Sequence, residues 1–113
     1  FQESFAFIHS LDISYLHVFT YSERAATKAL DIKPIVPIAM RNERNKILRN
    51  LSYQKLQYFT EAHRGQYRKV LFESVKKTAD GSVEMLEGYS DNYIRVTVPY
   101  KAEWSNQIVD WTI

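Results

Sequence analysis

The stretch Tyr93-Ile94-Arg95-Val96-Thr97-Val98 carries the clearest structural signal in the chain. Apolar β-branched residues occupy every second position, and tyrosine, arginine and threonine fill the positions between them. Successive side chains of a strand point to opposite faces of a sheet, so this period of two predicts a half-buried β-strand. Pro99, which has no N–H to donate, ends the pattern. Tyr93 and Arg95 are therefore predicted on the outer face of a β-sheet.

Outward from this strand, turn residues separate three further stretches with strand character. We expect strands over 66–74, 83–89 and 107–113. Asp80-Gly81 supplies the left-handed backbone that a hairpin turn needs. Four short antiparallel strands predict a small OB-like β-barrel over 66–113, one strand short of the five that form such a barrel. Its expected core comprises Val70, Phe72, Ile94, Val96, Val98 and Val109.

A long connecting helix is predicted upstream of the strands, within 38–65. Apolar residues at Ile47, Leu48, Leu51 and Phe59 keep helical spacing, and Gly65 is placed to end the helix. The positive charge is concentrated here: 41–64 contains six Lys or Arg and two Glu, while the whole chain has a net charge of +2. A basic segment in a nearly neutral protein indicates either a nucleic-acid contact or an ordinary solvated helix face.

The first 37 residues have a different pattern. Residues 1–11 carry an apolar stripe typical of a helix, and 14–21 is nearly continuously apolar, as in a strand covered on both faces. Residues 22–37 form a linker, because Pro34 and Pro37 exclude a helix across it. A helix followed by a buried strand indicates the end of an α/β unit whose other strands lie elsewhere. We therefore expect a piece of a longer protein, in which the strand 14–21 or the incomplete barrel pairs with a second copy.

The composition excludes several kinds of site. With no cysteine, the chain holds no disulfide, thiol nucleophile or thiolate-bound cluster, which fits a reducing cytoplasm. No apolar run reaches membrane-spanning length. His9, His17 and His63 lack metal-ligand spacing, and His17 reads more readily as a core histidine than as a site residue. The carboxylates of Glu84 and Glu87 are predicted on opposite faces of a strand, so we expect no catalytic residue and no metal site.

The β-region interleaves aromatic rings with cations. Rings stack on unpaired bases and cations neutralise phosphates, which is how small barrels bind RNA, although Tyr and Arg also occur on ordinary strand exteriors. Arg68 and Lys69 are adjacent, so only one of them is expected to share a face with Arg95. The candidate RNA-binding residues are Arg68, Lys69, Tyr93 and Arg95 in the strands and Arg41 and Arg44 in the helix, where Arg49 adds a further possible contact with phosphate.

Three segments resemble the methylthiotransferase branch of the radical-SAM enzymes. Residues 11–24, ending in Tyr21-Ser22-Glu23-Arg24, resemble the last strand of their barrel and the Tyr-Ser-x-Arg motif after it. The stretch from Arg44-Asn45-Lys46-Ile47-Leu48 onward resembles the helix that leaves that barrel. Val70-Leu71-Phe72-Glu73, with Glu87-Gly88-Tyr89-Ser90-Asp91-Asn92-Tyr93-Ile94-Arg95-Val96, resembles their C-terminal TRAM domain. The family usually continues its motif with Pro-Gly-Thr or Pro-Asn-Thr, where this chain has Ala25-Ala26-Thr27.

The resemblance implies an α+β fold, a partner and cofactors. The implied domains are the terminal helix and strand of a truncated α/β barrel with its linker (1–37), a connecting helix (38–65) and a TRAM barrel (66–113). The implied partner is tRNA, which the parent enzyme would methylthiolate at a modified adenosine next to the anticodon. The sequences Ser22-Glu23-Arg24 and Asn92-Tyr93-Ile94-Arg95-Val96 are most similar to those of the enzymes that act on threonylcarbamoyladenosine. The parent enzyme would use 4Fe–4S clusters and S-adenosylmethionine, with no ligand from this chain. The isopentenyladenosine and ribosomal-protein enzymes are the nearest alternatives, and a protein-interaction module is another.

Overall fold

The computed structural model describes all 113 residues and has an α+β fold. The chain divides into two compact units, Phe1–Phe59 and Thr60–Ile113. None of its helices combines the length and apolarity needed to cross a bilayer. The elements in chain order are α1 (Gln2–Ser10), a 3₁₀ turn (Lys28–Asp31), α2 (Ile38–Ala62), β1 (Tyr67–Lys77), β2 (Glu84–Ser90), β3 (Arg95–Pro99), a second 3₁₀ turn (Ala102–Trp104) and β4 (Gln107–Thr112).

The four strands form one antiparallel sheet in the order β3-β2-β1-β4. Each predicted strand is present, and β1 extends three residues beyond its predicted end at Ser74. The predicted closure into a barrel is not observed, because β3 and β4 each pair with one neighbour and not with each other. A sheet of four short strands is one strand short of the five in an OB-like barrel, so its two edges remain open.

The core of this unit lies against one face of the sheet. Val70, Phe72 and Leu86 are fully buried, and Ile94 and Val98 nearly so. Val96 and Val109 are partly buried against the same cluster, together with Trp104 and Trp111. The ring of Phe72 stacks on Trp104 and meets Trp111 edge-on, with centroid separations of 6.0 and 6.2 Å. The predicted core is therefore confirmed in its buried members, and Leu86 and the two tryptophans complete it.

A bulge bends the sheet beside Phe72. Phe72 pairs with Gly88 and Ser74 with Glu87, so Glu73 is the extra residue in β1. An extra residue in one strand interrupts the ladder and increases the local twist of the sheet. A Cβ built on Gly88 would lie 2.2 Å from the Leu71 carbonyl oxygen. Only glycine fits at this point of the sheet.

Helix α2 begins directly after Pro37 and ends near its predicted C-terminus. The Arg41 N–H donates to the Pro37 carbonyl at 3.0 Å, which closes the first turn. Gly65 has φ +83°, the left-handed conformation that ends a helix. Its N–H donates to the Ile113 carbonyl at 2.7 Å, so the residues after the helix are joined to the end of β4.

The predicted strand over 14–21 is wrong. This segment has no regular secondary structure and no strand partner. Ser52 links it to α2, because the Ser52 hydroxyl accepts from the Leu16 N–H at 2.8 Å and donates to the Leu16 carbonyl at 3.0 Å. A strand needs a neighbouring backbone to pair with, and no strand lies in Phe1–Phe59 to provide one. Helix α1 is confirmed, with the Lys55 ammonium donating to carbonyls at its C-terminus.

Candidate nucleic-acid interface

The strand register assigns the candidate residues to two faces of the sheet. Leu71 pairs with both Tyr89 and Ile108, and Tyr89 in turn pairs with Arg95. Paired residues share a face, and alternation turns this face away from the core side chains Val70 and Phe72. We call it the outer face and define it by Tyr67, Lys69, Leu71, Tyr89, Arg95 and Ile108.

The register also settles which of the two adjacent cations accompanies Arg95. Lys69 pairs with Asp110 on the outer face, whereas Arg68 pairs with Trp111 on the core side. The Arg68 guanidinium donates to the Gln66 side chain at 3.1 Å and lies 3.5 Å from the Asp91 carboxylate. Arg68 is therefore separated from Lys69 and Arg95, as the alternation predicted for one of the pair.

The outer face is unusually apolar for a surface exposed to solvent. Leu71, Tyr89 and Ile108 form a row across three strands, and Ile108 is 66% exposed. The exposed face of an antiparallel sheet usually carries polar side chains. Arg95 extends this row onto β3, and Tyr67, four residues before Leu71 on β1, adds a further exposed ring to the same face. Leu71 and Ile108 were not among the predicted site residues, although the alternation about Val70 already placed Leu71 outward.

Both cations of the outer face have an acidic neighbour. The Lys69 ammonium lies 3.3 Å from the Asp110 carboxylate, and the Arg95 guanidinium lies 3.7 Å from that of Glu87. The Lys69–Asp110 pair is exposed and the Arg95–Glu87 pair is exposed on its arginine side, and surface pairs of this kind contribute about 0–1 kcal/mol and are screened by salt. A phosphate group could therefore displace either carboxylate at little cost.

Tyr93 does not lie on the strand where it was predicted. β3 begins at Arg95, and Tyr93 belongs to the turn before it, with φ +63°. The Tyr93 N–H donates to the Ser90 carbonyl at 2.9 Å, and the Ser90 hydroxyl accepts from the Ile94 N–H at 2.8 Å. These bonds hold the left-handed backbone, which costs a bulky residue about 1–2 kcal/mol. The ring gains no packing in return, because Tyr93 is 75% exposed.

The two helix candidates, Arg41 and Arg44, face inward. Arg41 is only 9% exposed, and its guanidinium donates to the Val36 carbonyl at 2.7 Å and to the Glu23 carboxylate at 2.5 Å. The hydrogen bond from Arg41 holds the pKa of Glu23 below its ordinary value. Arg44 is half-buried, with its guanidinium 5.1 Å from the ring centroid of Phe1. The guanidinium of Arg41 thus fastens the linker to α2.

An apolar cavity of about 420 Å³ lies beside this arginine, between the linker and α2. Its walls include Phe19, Leu30, Ile32 and Leu48, and its charged lining residues are Glu23, Arg41 and Arg44. Glu23 and Arg41 bind each other, whereas Arg44 has no carboxylate partner. The cavity is therefore mainly apolar, with one unpaired guanidinium in its wall.

The chain has no place for the iron–sulfur clusters that the resemblance implies for the parent enzyme. It contains no cysteine, and no three His, Asp or Glu side chains are grouped so that they could hold a metal ion. Since such clusters are held by cysteine thiolates, the residues present do not fit them.

Comparison with known proteins identifies relatives that are named as tRNA methylthiotransferases or as a tRNA methylthioadenosine synthase. The chain is 36% identical over 93 residues to the threonylcarbamoyladenosine tRNA methylthiotransferase MtaB of Aquifex aeolicus, which covers 80% of this chain and 23% of the relative. It is 34% identical over 103 residues to the MtaB of Rickettsia prowazekii, covering 91% and 24%. It is 30% identical over 114 residues to the tRNA-2-methylthio-N(6)-dimethylallyladenosine synthase of Acinetobacter baumannii, covering 97% and 22%.

No family model and no solved structure matches the chain. Each region of similarity makes up less than a quarter of the relative's length. The alignments with the Rickettsia and Acinetobacter relatives cover nearly the whole of this sequence. The chain therefore belongs with the methylthiotransferases, of whose length it spans about a quarter.

Proposed function

We propose that this chain is a tRNA-binding part of a radical-SAM methylthiotransferase and that its sheet is the TRAM domain of that enzyme. The relatives are named as enzymes that act on tRNA, which supports tRNA as the ligand. The relatives in Aquifex aeolicus and Rickettsia prowazekii are named threonylcarbamoyladenosine tRNA methylthiotransferases, which favours that modified base as the substrate of the full enzyme. The chemistry would reside outside this chain, because the thiolates that hold the clusters are absent here.

The observation that carries the proposal is the combination of rings and cations on the outer face. Tyr67 and Tyr89 offer ring faces for stacking, and Lys69 and Arg95 offer charges for phosphate. Stacking on unpaired bases and neutralisation of phosphates are the two interactions that open sheets and small barrels use on single-stranded RNA. The neutral ion pairs of this face limit its long-range attraction, so stacking would supply most of the affinity.

The conformation of Tyr93 supports the same role. Glycine or asparagine would adopt the left-handed backbone more readily, so stability alone does not account for a tyrosine there. Strained residues persist where the side chain serves another purpose. We propose that the turn holds the Tyr93 ring in solvent so that it can stack on a base of the tRNA.

Paired substitutions separate stacking from charge. Tyr93→Ala keeps the β-carbon and the backbone conformation, so it should leave folding unchanged and weaken tRNA binding by about 1–3 kcal/mol with little change in salt dependence. Arg95→Ala should weaken binding and reduce the slope of log K against log salt by about 0.7–0.9. Lys77→Ala is the matched control, because this exposed cation lies six residues beyond Leu71 on β1, about 20 Å away at 3.3 Å per residue. Binding by both variants that equals the parent at every salt concentration would exclude the Tyr93 ring and the Arg95 end of the outer face from the RNA surface.

A second candidate function, a protein-binding module, is favoured by the aliphatic members of the row. Leu71 and Ile108 can be covered by an apolar partner, and the pairing of Lys69 with Asp110 leaves the face without net charge there. Such a complex would be insensitive to salt, whereas an RNA complex would weaken steeply as salt is raised. Leu71→Ser would abolish protein binding and change tRNA affinity much less than Tyr93→Ala.

A further inference from the structure

Helix α2 carries a second surface that the outer face does not account for. Asn42, Lys46, Arg49 and Tyr53 follow one another at spacings of four, three and four residues, which places them in one row along the helix. All four are exposed, and they lie on the side away from Leu48 and Leu51, which are turned inward. We call this row the basic stripe.

The cations of the basic stripe have no ion-pair partner. Five cations of the chain lie within 4 Å of a carboxylate, and neither Lys46 nor Arg49 is among them. Glu43 is the only acid between Ile38 and Thr60. Of the two inward-facing arginines of the same helix, Arg41 is paired with Glu23, and the half-buried Arg44 lies over the ring of Phe1 without a carboxylate partner. The exposed, unpaired cations of this helix are therefore Lys46 and Arg49.

The chemistry of the stripe matches a phosphodiester backbone. Lys46 and Arg49 are one turn apart on a rigid helix, so both can reach neighbouring phosphates of one strand without first breaking an ion pair. The Tyr53 hydroxyl and the Asn42 amide can donate to phosphate or sugar oxygens, contacts that position a nucleic acid without reading its sequence. Tyr53 is held in place by the Gln57 amide, which donates to its hydroxyl at 3.0 Å. A protein partner would have to supply acids to match these cations, and nothing in the chain favours that over phosphate.

We propose that the basic stripe binds the phosphate backbone of the tRNA, in addition to the contacts of the outer face. The inference rests on the proposed function, since it names a second surface for the same ligand. The stripe would supply the salt-dependent, sequence-independent part of the affinity, because its cations are free, and the outer face would supply the stacking part. Of the three helix arginines named from the sequence, Arg41 and Arg44 have no part in this surface and Arg49 belongs to it.

The experiment measures binding of the whole chain to a tRNA transcript between about 50 and 300 mM KCl. Loss of two phosphate contacts in the Lys46→Ala, Arg49→Ala double variant should flatten the slope of log K against log salt by about 1.4–1.8. The matched control is Lys28→Ala with Lys33→Ala, which removes two exposed cations of the same unit away from α2 and should leave the slope unchanged. Both double variants should melt at the temperature of the parent, because all four side chains are exposed. If the alanine variant has a lower melting temperature than the parent, the double variant Lys46→Gln, Arg49→Gln is used instead and should flatten the salt slope by the same amount.

The outcomes separate the two proposals. A parent chain that binds tRNA while the helix variant keeps its slope overturns the basic stripe and leaves the outer face standing. An equal loss of slope in the control overturns it too, because the effect would then be one of total charge. A parent chain that does not bind tRNA overturns the proposed function and the stripe together.

Discussion

Gly88 is the point at which a single added methyl group should do most damage to the sheet. It lies on β2 opposite Phe72 of β1 and Val96 of β3, at the bulge. A Cβ there would meet the Leu71 carbonyl oxygen at 2.2 Å and the Phe72 Cα at 2.8 Å, where ordinary contacts begin near 3.4 Å. Both obstructing atoms belong to the backbone, so β1 and β2 would have to separate by roughly 1 Å at the middle of the sheet.

The cost of Gly88→Ala follows from what that separation breaks. Weakening one or two inter-strand hydrogen bonds costs about 0.5–1.5 kcal/mol each, and disturbing the packing of the fully buried Phe72 costs about 1–3 kcal/mol. We expect a total of about 1.5–6 kcal/mol. At about 0.05–0.15 kcal/mol per residue, the 54 residues of Thr60–Ile113 have roughly 3–8 kcal/mol of stability. The variant should therefore be close to unfolding at room temperature.

Urea denaturation followed by the fluorescence of Trp104 and Trp111, which contact Phe72, measures this loss directly. Gly81→Ala is the matched control, because Gly81 has φ +72° but no atom within 4 Å of the added Cβ. It should cost only the strain of a left-handed alanine, about 1 kcal/mol. Equal losses of stability for the two variants would show that the close approach of the β1 backbone does not exclude a side chain at position 88.

Three further predictions concern stability. Ile94→Ala should cost about 2–4 kcal/mol because Ile94 is 2% exposed, and Val96→Ala about 1–2 kcal/mol because Val96 is only partly buried; a neutral result in urea for either would contradict its assignment to the core. Hydrogen bonds from the Thr78 hydroxyl and from the N–H and hydroxyl of Ser82 lower the pKa of Asp80 from 3.8 to about 2. The stability that ionised Asp80 contributes is therefore complete above about pH 4 and is lost as the pH falls through 2. The stability of the Asp80→Ala variant should decline less steeply than that of the parent over this range. Ala26 has φ +61° at the position where the resembling family usually has glycine or asparagine, so Ala26→Gly should raise the melting temperature of Phe1–Phe59, and a lower value would contradict the strain.

The sequence predicted the β-region well because alternation is a local property that burial enforces. Ile94 and Val98 alternate with exposed neighbours, and a shift of one residue in the strand register would have exposed both side chains to solvent. The strand over 14–21 was predicted wrongly because apolarity without alternation leaves open whether a neighbouring strand exists. Its side chains still alternate between half-buried and exposed, with Leu16 held by Ser52 rather than by a sheet.

The candidate site was predicted in its chemistry more than in its geometry. Alternation limited Arg68 and Lys69 to opposite faces, and the register showed that Lys69 accompanies Arg95. The alternation did not predict that Tyr93 lies in a turn, because a positive φ cannot be inferred from a pattern of side-chain types. Charge counting found the basic half of α2 but did not distinguish Arg41, which is bound by Glu23, from the free Lys46. That distinction depends on where the linker places Glu23, which the sequence of the helix alone does not predict.

The central claim, that this chain binds tRNA through its own surfaces, is tested most directly by the affinity of the parent chain for a tRNA transcript as salt is varied. We predict binding at about 50 mM KCl that weakens linearly in log K against log salt, with a slope of about −3 for the four free or exposed phosphate contacts Lys46, Arg49, Lys69 and Arg95. No detectable binding at low salt, or binding that does not change with salt, would contradict the account.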